Sequence, residues 1–340
     1  MDNQASIGAA LVVVLGGLIH GSWALPMKRI TKWKWENMWL VYSVVGLIII
    51  PPLLAYLAVP ALGTLYGNTA ASTLGAVAAF GFGWGLGSIL FGLGIARVGM
   101  ALGFSIILGI TSSFGSLLPL LALDPSGLFT RKGYILLAGL AVAIAGIVVV
   151  ALAGAQRDRD QNPNAGSGQQ AGFTTGLIIC IASGILSPAL NFGFVFGKPV
   201  VDAAVAMGAN KDFASNVVWA PALAGGFIAN AGYAVYLLIK NKSWGAFTQS
   251  GTPVWYWLGA SAMGLMWFGG IATYGLGATA LGPLGAVVGW PMFMSVVIVT
   301  ANIWGAITGE WKGASGKARA RSWLGIAILI AAIIVVSFGS

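Results

Sequence analysis

The segment Trp84 to Ser113, WGLGSILFGLGIARVGMALGFSIILGITSS, is nearly free of charge, carries glycine at short intervals, and returns later in the chain. Trp84, Phe91, Gly92, Leu93, Gly94 and Gly99 are matched by Trp267, Tyr274, Gly275, Leu276, Gly277 and Gly282, each displaced by 183 positions without a gap. An echo of this kind divides the 340 residues into two halves of related design, the internal signature of many membrane carriers.

Composition fixes the medium. The chain is 58% hydrophobic and 7% charged, whereas a soluble domain covers its surface with about a quarter charged residues. Apolar runs of about 20 residues, the length that spans a hydrocarbon core as a helix, recur throughout. The alternating strands of about 10 residues that mark a membrane barrel do not occur. The net charge of +9 is therefore read as the basic, cytoplasmic side of a bilayer protein, and nucleic acid is set aside as a partner.

The runs predict an all-α membrane protein of ten transmembrane helices: 7 to 26, 38 to 59, 72 to 94, 98 to 121, 131 to 153, 172 to 196, 214 to 239, 254 to 276, 283 to 308 and 320 to 337. The polar stretch 154 to 171, containing AQRDRDQNPNAGSGQQ, reads as a flexible cytoplasmic linker. It separates a first five-helix repeat, 1 to 153, from a second, 172 to 340. Thirteen Lys and Arg fall in the loops after odd-numbered helices, from Lys28 to Arg321. Only Arg131, Lys132, Lys198 and Lys211 lie on the other side. Both termini are thus expected outside. MDNQASIGAA lacks the basic start of a signal peptide, so the first run is kept as a permanent helix. With five helices per half, the third and eighth run in opposite directions and the repeat is inverted, the architecture of alternating-access carriers. Trp33, Trp35, Trp39, Trp255, Trp257, Trp311 and Trp323 fall near helix ends, where tryptophan anchors at the interface. Helices five and ten end in AIAGIVVV and IAAIIVV, so they are expected to face lipid or to form a homodimer contact.

Several chemistries are excluded. Cys180 is the only cysteine and His20 the only histidine, so no intramolecular disulfide, cysteine metal site or paired-histidine motif is available. No GxxxxGK[ST] loop is present, and no cofactor is expected. GLGIARVG resembles a dinucleotide fingerprint but follows no strand. All eight Asp and Glu fall in tails, loops or helix ends, so His20, well inside a span, is read either as the candidate proton-coupling group or as a neutral histidine hydrogen-bonded to a neighbouring carbonyl. Its surroundings, GGLIHGSW, loosely match SGILSPAL from Ser183, placing His20 opposite Ser187 in the two halves.

The remaining polar groups are neutral. Ser88, Thr111, Asn191, Asn230 and Tyr274, interleaved with Trp84, Trp267 and Trp290, suit a neutral polyhydroxylated ligand: amides and hydroxyls meet its OH groups, and aromatic faces pack on its CH surface. Ser and Thr in membrane helices also bond their own or a neighbouring backbone. Pro188 and Pro291 lie inside helices six and nine, where a missing N–H frees carbonyls toward a cavity.

LPMKRITKWKWENMW (25 to 39), FGFGWGLGSILFGLGIARVGMALG with the following LGIT, Lys198-Pro199, GLMW and TYG between 264 and 275, and GEW at 309 to 311 together resemble the L-rhamnose-proton symporter family of the drug/metabolite transporter superfamily. The resemblance covers nearly the whole chain. It implies ten helices in two inverted repeats, a bacterial inner membrane, and uptake of a deoxysugar with a proton. Trp84, Arg97, Thr111, Asn230, Trp267, Tyr274 and Glu310 match the family pattern; Ser88 and Leu90 stand where members carry asparagine, and His20 falls on no family histidine. The expected function is a secondary carrier importing L-rhamnose by proton symport. The alternatives are a carrier or exporter of another monosaccharide or small metabolite, and a membrane-embedded lipid-processing enzyme.

Overall fold

A computed structural model describes residues 3–98, 100–161, 173–249, 252–282 and 285–338, and among them every regular element is helical. In bilayer hydrocarbon, where no water meets N–H and C=O groups, helices satisfy their own backbone. In chain order the α-helices are α1 (Asn3–Gly21), α2 (Trp35–Ser43), α3 (Ile50–Ala58), α4 (Leu62–Asn68), α5 (Ala71–Val98), α6 (Met100–Leu123) and α7 (Arg131–Gln161). They continue as α8 (Phe173–Leu186), α9 (Ala189–Phe196), α10 (Lys198–Ala206), α11 (Asn216–Lys240), α12 (Val254–Ala280), α13 (Gly285–Ile307) and α14 (Gly316–Ser337). Nine helices among the described residues are long and apolar enough to cross a membrane, which makes this a multi-pass membrane protein. The 27-residue α12 has the length, but its glycine, tryptophan and tyrosine content keeps it out of that set.

The elements differ from the simple runs at identifiable places. The second run is one helix interrupted by a π-turn, Val44–Ile49, just before Pro51 and Pro52. The Ile50 N–H bonds back to Val45 O, so the helix widens by one residue where the prolines would crowd a regular turn. The short α4 lies in a connection the sequence left open. The fifth helix runs on to Gln161, so the expected linker from 154 starts as helix; 162–172 lie outside the described residues. The sixth run breaks at Ser187 and Pro188 into α8 and α9, whereas Pro291 sits within an uninterrupted α13.

Prolines also set up contacts between helices. A proline cannot bond the carbonyl four residues earlier. The three carbonyls opposite Pro119, Pro188 and Pro221 are each taken by a side chain from elsewhere. Asn191 Nδ2 donates to Gly115 O at 2.8 Å, Thr111 Oγ1 to Gly184 O at 3.4 Å, and the Tyr66 hydroxyl to Val217 O at 2.7 Å. The first two are reciprocal, tying α6 to α9 and α8 to α6.

The packing partners of the two halves correspond. Helix α1 lies on α12 and α13, while α8 lies on α5 and α6; α6 packs on α7 as α13 does on α14. Glycines at equivalent places of the echo make close approaches in both copies. A Cβ on Gly81 would lie 1.6 Å from Ala222 O, and one on Gly264 2.7 Å from the Gly46 backbone nitrogen. Likewise, a Cβ on Gly87 would meet the Ser187 nitrogen at 2.9 Å, and one on Gly270 would meet His20 Cβ at 2.5 Å. His20 and Ser187 therefore take corresponding places against the two copies, as their surrounding motifs predict. Helices α7 and α14 pack on each other, with Gly139 under Val336 and Gly325 against Val150.

Candidate functional site

The two tryptophans of the echo meet at the centre of the bundle. Trp84 on α5 and Trp267 on α12 have ring centroids 4.9 Å apart and planes tilted by 34°. Gly226 leaves room for Trp84, since a Cβ there would lie 2.8 Å from its ring. Half-buried His20 packs on Trp267 at 5.3 Å and on Phe293 at 5.2 Å. Its Nδ1 lies 3.0 Å from Trp267 O. A carbonyl only accepts, so Nδ1 carries the hydrogen and Nε2 is left as the ring's proton acceptor.

On one side of this pair lies Asn230, fully buried on α11. Its Oδ1 accepts from Trp39 Nε1 at 3.0 Å and from Ser88 Oγ at 2.9 Å, while its Nδ2 donates to Gly226 O at 2.9 Å. Ser88 Oγ also lies 2.8 Å from Gly85 O, and its single hydrogen serves one acceptor at a time. Trp39 stacks on Trp35 at 4.4 Å and leans on Trp23 and Tyr42, so this tryptophan works inside the bundle and not only as an interface anchor.

On the other side lies Asn191 on α9. Its Oδ1 accepts from the Tyr274 hydroxyl at 2.5 Å while its Nδ2 holds Gly115 O. Trp290 Nε1 donates to Thr111 O at 3.3 Å, and the Trp290 ring lies 5.5 Å from Tyr274. Phe293 joins the groups, packing on His20, Tyr274 and Trp290. The structure thus gathers Trp84, Ser88, Asn230, Trp267 and His20 on one flank and Thr111, Asn191, Tyr274 and Trp290 on the other, in one continuous cluster whose hydrogen-bonding side chains are all neutral. Thr111 spends its one donor, and Asn191 one of its two, on proline-freed carbonyls, so part of their role is structural.

The sequence reading missed Tyr42, Phe293, the working role of Trp39, and Trp219. Trp39 and Trp219 lie 180 positions apart, as do Gly46 and Gly226, and that second echo would have found them. Their environments differ. Trp39 Nε1 is bonded to Asn230, whereas Trp219 Nε1 and the neighbouring Ser215 Oγ are buried without a hydrogen-bond partner among the described residues. Both approach Gly275: a Cβ there would lie 3.1 Å from Trp219 Nε1 and 3.4 Å from Ser215 Oγ. Phe194 stacks on the Trp219 ring at 5.1 Å. A buried N–H or O–H left unpaired costs about 1–3 kcal/mol.

The end of the bundle that carries most of the basic residues is stitched across the halves. Glu310, after α13, pairs with Lys28 and, at 3.3 Å, with Arg157 at the end of α7. The Arg157 guanidinium lies over Trp311 at 5.3 Å. Glu36 stands at a helix start, where the sequence placed it, but it is only 3% exposed. Its Oε1 accepts from Asn241 Nδ2 at 2.9 Å and Ser243 Oγ at 2.7 Å.

Comparison with known proteins places this arrangement. The family model for L-rhamnose-proton symport protein (RhaT) matches residues 1–340. The chain is 30% identical over 347 residues to the L-rhamnose-proton symporter of Yersinia pestis, covering 99% of each chain. It is 28% identical over 345 residues to that of Cronobacter sakazakii, covering 100% of this chain and 99% of the other. Matched from end to end, the chain belongs to the L-rhamnose-proton symport protein family, a family of transport proteins and not of enzymes.

Proposed function

We propose that this protein is a secondary carrier of the bacterial inner membrane that imports L-rhamnose, or a close deoxysugar, together with a proton. The observation that carries the reading is the cluster of neutral amides, hydroxyls and indoles around Trp84 and Trp267. It offers hydrogen bonds and ring faces to a neutral sugar and no fixed countercharge for an ion. Ten spans in two inverted repeats complete the architecture. The tenth is α12, about 40 Å long at 1.5 Å per residue and packed on α1 and α13. The corresponding helix partners of the two halves, and the paired contacts of Gly87 with Ser187 and Gly270 with His20, support the repeat. With the basic end inside, both termini lie outside. The outer ridges of α7 and α14, including Val148, Leu152 and Ile334, are left to lipid or to a second copy of the chain.

In this mechanism the sugar separates the two tryptophan rings and takes their faces. Its hydroxyls exchange bonds with Ser88, Asn230, Asn191 and Tyr274, and Trp219 Nε1 and Ser215 Oγ supply donors the protein leaves unused. His20 Nε2 takes the coupled proton, and the Nδ1 bond to Trp267 O links protonation to the position of the indole beside the substrate. Uptake of L-rhamnose by reconstituted vesicles with and without an inward proton gradient tests the reading. Gradient-driven accumulation is expected; no uptake of any deoxysugar overturns the substrate, and uptake indifferent to the gradient overturns the coupling. In His20→Ala, accumulation should fail while sugar exchange at equal pH persists.

A further inference from the structure

The loop between α13 and α14 contains Gly309-Glu310-Trp311-Lys312-Gly313, with both glycines in the left-handed region at φ 84° and 81°. A side chain at either place would be strained, and the two turns point successive residues to different neighbours. Glu310 turns toward Lys28 and Arg157, and Trp311 is buried beneath Arg157. Lys312 instead lines a cavity of about 320 Å3 between the end of α13 and the start of α14. Arg319 from α14 lines the same cavity, together with Asn302, Ile307, Trp311 and Trp323, and no Asp or Glu lines it. Glu310, in the same loop, is already shared by two cations, and among the described residues neither Lys312 nor Arg319 is ion-paired.

The cavity therefore joins two uncommitted cations to an apolar, aromatic wall. Ile307 and Trp323 are 67% and 55% exposed and face outward beside it, with Ile326 behind. It lies at the ends of two helices long and apolar enough to cross a membrane, and exposed tryptophan at such an end settles among headgroups. Free phosphate would use the cations and waste the wall; a zwitterionic lipid would bring its own cation to a place that has two.

We propose that this cavity binds the headgroup of an anionic glycerophospholipid, its phosphodiester held by Lys312 and Arg319 and its acyl chain laid against Ile307 and Trp323. Because the same short loop presents Glu310 to Lys28 and Arg157, an occupied cavity steadies the ion-paired end of the bundle.

The test uses the full chain purified in neutral detergent. Thermal unfolding and native mass spectrometry are followed while phosphatidylglycerol, phosphatidylcholine or inorganic phosphate is added. Phosphatidylglycerol is expected to bind and to raise the unfolding temperature. Lys312→Gln with Arg319→Gln should weaken that binding about thirtyfold, at about 1 kcal/mol for each basic residue near a headgroup. Lys317→Gln, outside the cavity lining, should leave it unchanged. Equal protection by phosphatidylcholine or by inorganic phosphate overturns the assignment, and so does undiminished phosphatidylglycerol binding by the double variant. If that variant does not fold, photoactivatable phosphatidylglycerol on the unaltered chain decides: cross-links are expected within 302–326, and cross-links found only elsewhere overturn the site.

Discussion

Trp84 and Trp267 hold equivalent places in the two copies of the echo, and their rings lie against each other 4.9 Å apart. On the proposed alternating-access reading, a solute passing between the two copies parts this pair. Trp84→Phe should retain most L-rhamnose uptake, because a flat face remains. Trp84→Ala or Trp267→Ala should lower uptake at least tenfold, the effect of losing about 1.4 kcal/mol of transition-state interaction. Initial rates in vesicles at matched protein content check this; near-normal uptake by both alanine variants would remove the pair from the pathway.

Asn191 and Pro119 should be energetically coupled. Asn191→Leu leaves both Gly115 O and the Tyr274 hydroxyl without their partner, at a cost of about 1–3 kcal/mol. In a Pro119→Ala background the restored N–H at 119 can take Gly115 O, and the same substitution should cost less. A double-mutant cycle on thermal unfolding in detergent measures the difference. Simple additivity would show that the proline does not create the acceptor.

Gly92 and Gly270 should respond oppositely to alanine. Nothing stands within 4 Å of a Cβ at 92, so Gly92→Ala should fold and express as the parent does. At 270 the new atom would fall 2.5 Å from His20 Cβ and 2.8 Å from Gly16 O, forcing α1 away from α12. Lower folded yield and weakened proton-driven accumulation are expected together. Comparable folded yields for the two variants would refute the close approach.

Trp219→Phe removes an indole N–H that has no protein partner and keeps a ring for Phe194 to stack on. Stability should change little, while the KM for L-rhamnose rises about tenfold, in line with the loss of one hydrogen bond of about 1.4 kcal/mol. A lower unfolding temperature with an unchanged KM would assign Trp219 to packing alone.

Much of this was legible in the chain. Charge scarcity gave the membrane, the spread of motifs gave the family, and the match of GGLIHGSW to SGILSPAL pointed to the paired contacts of His20 with Gly270 and Ser187 with Gly87. Hydrophobic runs locate apolar side chains but carry no account of where backbone carbonyls bond, so the π-turn before Pro51 and the break at Pro188 stayed hidden. The residue types of Thr111 and Asn191 suit a ligand and a backbone carbonyl alike. Their partners, Gly184 O and Gly115 O, depend on how three helices are rotated, and no periodicity within a single helix encodes that. Trp39 reads as an interface anchor from its position beside Lys34, and only the fold brings Asn230 to its nitrogen.

The carbonyls opposite Pro119, Pro188 and Pro221 bear on how such a bundle could move. An ordinary helix carbonyl that changes partner unravels a turn of its own helix. Gly115 O, Gly184 O and Val217 O are already outside the internal ladder, so Asn191, Thr111 and Tyr66 act as detachable fasteners: they can let go and later re-engage while every helix stays wound. A change of partner at these three carbonyls therefore exchanges side-chain bonds and unwinds no turn of helix.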